Sequence, residues 1–152
     1  MALDLPGIVA AVQTHAAASG HIERVAGHEP ISTPAGGITA SVWLDRITSV
    51  PARSGLASTT ALVVLAVRLQ IPWRGDLDNV DLQLAAAADD LMRAYTGDFT
   101  LGSQVANVDL LGESGTRLEG RAGYLQPSDG QVYRVFTITL PIVVNDLWDQ
   151  AA

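Results

Sequence analysis

The sequence predicts an α+β fold, a mostly antiparallel β-sheet backed by two helices, and three observations carry that expectation. Residues 4–19 and 78–95 repeat apolar side chains at helical spacing. Residues 38–50 and 59–71 are long apolar runs, the first alternating and the second apolar on both faces. The final third alternates apolar and polar residues around a turn signal, Ser128-Asp129-Gly130. The element order is α-β-β-β-α-β-β-β, and residues 1–152 read as one domain without internal repeats.

Each element has a local cause. In 4–19, Leu5, Ile8, Val9, Val12 and Ala16 share one face; Asp4 can cap the start, Pro6 fits the first turn and Gly20 can end it. A short strand over 21–26 follows, then a loop over 27–37 with Pro30, Pro34 and a Gly pair. The runs 38–50 and 59–71 are separated by a short polar linker, so an antiparallel hairpin is the simplest connection. In 78–95, Leu84, Ala87, Ala88, Leu91, Met92 and Tyr95 form an apolar stripe, with Asp78 as cap, Asp81 as first-turn acid and Gly97 as left-handed stop. Strands are expected over 104–111, 118–126 and 131–144. Pro141 has no N–H to donate to a ladder, so it predicts an edge or bulge near the end of its strand.

Composition narrows the function. The chain is 48% hydrophobic and 16% charged, against about 25–35% charged residues on an ordinary soluble surface. Partial coverage of the surface by neighbouring subunits would account for this, and so would an Ala-rich composition. The net charge of −7 argues against binding a phosphate backbone, which needs clustered cations. Cysteine is absent, which excludes disulfides, thiolate metal sites and cysteine nucleophiles. No segment has the length and character of a signal peptide or membrane span, so a soluble protein made in the cytoplasm is expected.

No constellation for catalysis assembles from the sequence. His21 and Glu23 share a strand face near His28 and Glu29, but no metal-binding spacing links them; a helix-surface, a strand and a loop histidine are the simpler reading. The acids from Asp76 to Asp81 resemble the start of a calcium loop, but Asp81 stands where glycine is needed and Ala87 where glutamate is. Capping and the helix dipole explain them better. Gly112-Glu113-Ser114-Gly115 is one residue short of a nucleophile elbow, and Asp89-Asp90 point about 100° apart on a helix. Trp43 either packs under a helix or faces a neighbour. Trp73, beside Arg74, is either an interface anchor or a core cap. Trp148 lies in a tail that docks on its own subunit or on another.

The pieces Gly27-His28-Glu29-Pro30, Val42-Trp43, Ser54-Gly55-Leu56-Ala57-Ser58, Gly97-Asp98-Phe99, Val108-Asp109-Leu110-Leu111-Gly112, Ala122-Gly123-Tyr124-Leu125, Tyr133-Arg134-Val135 and Asn145-Asp146 come in an order and spacing that resembles tail terminator proteins of long-tailed phages of actinobacteria. The resemblance runs from about Gly27 to Trp148 and departs at Pro127, which stiffens a hairpin tip. It implies a virion structural protein with no catalytic residue, cofactor or metal. Six copies would form a ring capping the tail tube, stopping its polymerisation and offering a surface to the head-completion or stopper protein. DNA would pass through the lumen unbound, and a negative lumen would repel its phosphates. The candidate interface residues are Glu29, Arg53, Ser54, Leu56, Trp73, Arg74 and Trp148, with Arg53 the favoured cross-ring contact; ordinary solvent loops are the plain alternative for 27–37 and 51–58. Rival readings are a head-side connector or stopper of the neck, and a small-molecule-binding or enzymatic α+β domain.

Overall fold

The computed structural model describes residues 2–27, 37–51, 54, 58–126 and 130–148. Helix α1 spans Leu5–Ala18, β1 Arg24–Ala26, β2 Thr39–Ser49, β3 Thr59–Pro72, helix α2 Leu77–Gly97, β4 Asn107–Val108, β5 Glu119–Leu125 and β6 Tyr133–Leu147. The six strands form one sheet in the order β1-β2-β3-β6-β4, with β5 also on β6. All ladders are antiparallel except β1 with β2. The α+β class and the element order are those expected.

Alternation along the strands divides the sheet into two faces. On one, Ala40 and Val42 of β2, Val63, Leu65, Val67 and Leu69 of β3, and Ile138, Leu140 and Ile142 of β6 pack with Ile8, Val12 and Ala16 of α1 and Leu84, Ala87, Ala88, Leu91 and Tyr95 of α2. Of the helix stripes read from the sequence, Leu5, Val9 and Met92 are only partly buried against this core and the rest are buried in it. On the opposite face, Arg68, Thr137 and Thr139 are only partly buried. A small second cluster of Val50, Leu62, Val64 and Val143, with Ala106 against it, covers one end of that face.

The helix termini differ in detail from expectation. Asp4 does cap α1, accepting from the Gly7 N–H at 3.1 Å. For α2 the cap is Asp76, accepting from the Asn79 N–H at 3.4 Å; Asp78 lies inside the first turn instead. Gly97 is the last helical residue, and it is absent from the glycines with positive φ. Asp98 ends the helix, its N–H donating to the Ala94 carbonyl at 2.9 Å.

Three strand expectations are corrected. The strand expected over 21–26 shrinks to Arg24–Ala26, because His21 is drawn to Asp90 of α2. The strand expected over 104–111 shrinks to Asn107–Val108. Leu101, Gly102 and Ser103 have positive φ before it, and Asp109 turns the chain after it. Pro141 lies well inside β6, a strand paired on both sides. Its carbonyl accepts from the Asp109 N–H at 2.9 Å, so its nitrogen faces the same flank, between the ends of β5 and β4. The ladder to β3 therefore loses nothing.

Candidate assembly surfaces

Of the residues expected to carry contacts, Ser54 and Trp148 lie by the start of β3 and the end of β6, and Trp73 and Arg74 follow the other end of β3. Glu29, Arg53 and Leu56 lie outside the described residues. Ser54 is turned inward: its hydroxyl donates to the Val50 carbonyl at 2.8 Å and accepts from the Thr60 N–H at 3.3 Å. Trp148 follows the buried Leu147 and is 42% exposed, with φ of 42°. Arg74 is exposed, and Trp73 beside it is half-buried.

Trp73 belongs to a cluster that sequence reasoning missed. Its ring meets Tyr124 edge-on at 5.5 Å, and the Arg134 guanidinium lies over the Tyr124 ring at 4.4 Å. Arg134 also donates to Asp81 at 2.7 Å and to the Gly123 carbonyl at 3.2 Å. The three side chains come from the β3–α2 connection, β5 and β6, and Asp81 from α2. They join the sheet edge to the start of that helix. Only the register between β5 and β6 reveals it, since Tyr124 stands opposite Arg134. Trp43 lies on the face away from the helices, with Arg68 over its ring at 5.3 Å.

The histidines pair with acids of the second helix and its cap. The His15 and Asp98 side chains are 2.9 Å apart, and His21 contacts Asp90. Together they tie α1 and the turn after it to α2. His21 is thus not a strand histidine, and its hydrogen-bond partner is Asp90 of α2; His28 and Glu29 lie outside the described residues. Among the described residues no group of three or more His, Asp or Glu is placed to hold a metal ion. The Gly102 N–H and then His15 hold the Asp98 carboxyl below the usual carboxylate range. Burial pushes the Tyr95 phenol well above its ordinary value; it donates to the Val12 carbonyl at 3.3 Å.

A further residue without an assigned role organises the connection from β4 to β5. Asp109 is buried, and its carboxylate accepts from the backbone N–H groups of Gly112 at 3.1 Å, Glu113 at 3.0 Å and Ser114 at 2.7 Å. An aspartate three residues before a glycine is the sequence signal for such a turn. Here Gly112 has φ of 83°.

Charge is unevenly distributed. Asp78, Asp81, Asp89 and Asp90 lie on α2, with Asp76 and Asp98 at its ends. The sheet face away from the helices carries Arg46, Arg68 and Arg121 with Glu119; Arg46 pairs with Asp45 at 3.1 Å and Arg121 with Glu119 at 3.2 Å. Apolar exposure is spread over several elements, with Leu82 on α2 and Leu111 after β4 the most exposed. Leu44 is 36%, Ile47 37% and Tyr124 60% exposed, and these are the large exposed hydrophobics on the described strands. No helix among the described residues is long and apolar enough to cross a membrane.

No protein-family description matches this chain, and no curated protein does. Among solved structures it is similar to a chain of the virion of a native gene transfer agent particle, at 15% identity and a TM-score of 0.40, over 90% of this chain and 93% of that one. It is also similar to the sheath/tube terminator of an extracellular contractile injection system, PVC, in the extended state. That likeness has 12% identity and a TM-score of 0.39 over 100% of this chain, which spans 60% of the other. Neither likeness carries a residue or an activity over to this chain.

Proposed function

We propose that this chain is a structural subunit of a phage-tail-like particle, a tail terminator whose ring caps the tail tube, stops its growth and meets the head side of the neck. The observation that carries the assembly reading is the sheet itself. Among the described residues, β2 beyond Ser41 and β5 each have one flank without a strand partner, and those strands bear the exposed Leu44, Ile47 and Tyr124. A head-to-tail ring needs two different surfaces on opposite sides of one subunit, and this arrangement provides them. The choice of terminator within that class rests on the motif order described for residues 27–148.

In such a ring the helix layer, being the bulkier, has more room on the outer circumference. The acids of α2 then lie on the outer wall, and the passage is lined by the mixed face of Arg46, Arg68, Arg121, Glu119, Thr137 and Thr139. The composition had pointed to an acidic lumen, but this placement makes its charge mixed. DNA passage would then rely on the pairing of Arg46 with Asp45 and of Arg121 with Glu119, which weakens phosphate attraction, rather than on strong repulsion.

The reading is tested by electron microscopy of particles produced without this gene. Tails of uncontrolled, excessive length without heads are expected. Tails of normal length beside separate heads would overturn the terminator role and move the protein to the head side of the neck.

A further inference from the structure

β2 pairs with β1 only through Thr39, Ala40 and Ser41, so over residues 42–49 its outer flank meets no described strand. At the other end of the sheet β5 pairs with β6 alone. Unpaired edges present rows of N–H and C=O groups that template another strand, and exposed apolar side chains on them strengthen that tendency. Neither flank contains proline or lysine.

The strand directions suit a second copy of this chain. β2, β3, β6 and β5 run alternately up and down. A copy set beside the first in the same orientation therefore brings its β2 antiparallel to the first copy's β5. The faces also agree. Leu44 and Ile47 share the helix-covered face with Leu65 and Val63, while Ala122 and Tyr124 share it with Phe136 and Arg134. A continuous sheet must keep that face on one side, so allowed registers differ by two residues. One of them sets Leu44 opposite Tyr124, Ile47 opposite Ala122 and Arg46 opposite Gly123. The register two residues to one side sets Arg46 opposite Arg121, and like charges directly opposite are unfavourable; the register to the other side sets Leu44 beyond Leu125, where the β5 ladder ends.

We infer that subunits join through this antiparallel ladder, residues 42–49 of one copy against β5 of the next, in the register that pairs Leu44 with Tyr124. The inference rests on the ring reading proposed above and adds its joint. The geometry is that of a closed sheet. Leu44 is level with Leu65, and Tyr124, through Arg134, is level with Ile71. The stagger is then about six residues, or roughly 20 Å, over four strand spacings of about 4.8 Å. Strands would tilt about 45° from the ring axis, at the steep end of the range for closed barrels. The bulge between Leu44 and Arg46 adds bend where a curved wall needs it.

The chain has no cysteine, so a cross-link reports the joint directly. In this register Thr48 of one copy faces Arg121 of the next, both exposed. The double variant Thr48→Cys/Arg121→Cys, in the full chain, is oxidised both free in solution and in purified particles. Copy number is measured in parallel by native mass spectrometry and particle imaging. A covalent ladder extending to the ring number, with each single variant stopping at dimers, is expected. A ring present by mass or imaging with no ladder beyond that of the single variants would overturn the sheet joint and leave the ring reading standing. A single copy in solution and in particles would overturn the ring reading and the joint with it.

Discussion

Asp109→Ala is expected to loosen the connection between β4 and β5 and to lower global stability. The carboxylate is buried and serves three backbone N–H groups at 2.7–3.1 Å. A hydrogen bond to a charged group is worth about 1.5–3 kcal/mol net, while an N–H returned to water recovers most of its loss. The three donors share the two oxygens of one carboxylate and sit in a partly solvated turn, so their contributions do not add. A loss of about 3 kcal/mol is expected for Asp109→Ala, corresponding to a fall in Tm of roughly 6–12 °C for a chain of this size. Asp109→Asn is the sharper probe. Its one oxygen can keep the Gly112 and Glu113 bonds, but its amide nitrogen then points a donor at the Ser114 N–H. An intermediate loss of about 1–2 kcal/mol is expected. Urea denaturation of the three proteins gives the order directly, with midpoints shifting and slopes unchanged. If Asp109→Ala unfolds within about 0.5 kcal/mol of the natural protein, the three bonds do not hold the turn and the reasoning fails.

Gly120→Ala tests how closely α2 is packed onto the sheet edge. A methyl there would collide with the Phe136 ring, with Cζ at 2.8 Å, and approach Met92 Sδ at 3.3 Å. Overpacking of this kind costs about 1–3 kcal/mol, so thermal unfolding below the natural protein is expected; equal stability would show that the ring turns aside freely. Acid should remove the contribution of Asp98. Its carboxyl is held below the usual range by the Gly102 N–H and by His15, so its stabilisation is full above the ordinary carboxylate value of about 3.9 and is lost as pH falls through the lower folded value. The stability gap between the natural protein and Asp98→Asn is expected to close below about pH 4, and a gap unchanged between pH 7 and pH 3 would contradict this.

Much of the fold was legible because its causes are local. The stripes Ile8-Val12-Ala16 and Leu84-Ala88-Leu91-Tyr95 mark the core face of each helix without knowledge of what covers it. The runs 38–50 and 59–71 became β2 and β3 within a residue at each end. The candidate site was much less legible. Trp73 was found as a large aromatic in a connection, but its partners Tyr124 and Arg134 lie far along the chain. His21 looked like a strand residue because nothing local shows that Asp90 waits on another element.

Acting alone, then, the sequence determined both helices with their inward faces, the long strands β2 and β3, and the order of the elements, since these follow from periodicity and capping within a few residues. Only the tertiary structure decided that β1 runs parallel to β2, that β4 and β5 share one flank of β6, and that Pro141 can sit inside a central strand where its missing N–H is harmless. Strand pairing joins residues distant in sequence through backbone groups that every residue possesses, so side-chain patterns do not specify the partner. Among the described residues the flanks of β2 beyond Ser41 and of β5 have no strand partner, and that property carries the proposed assembly.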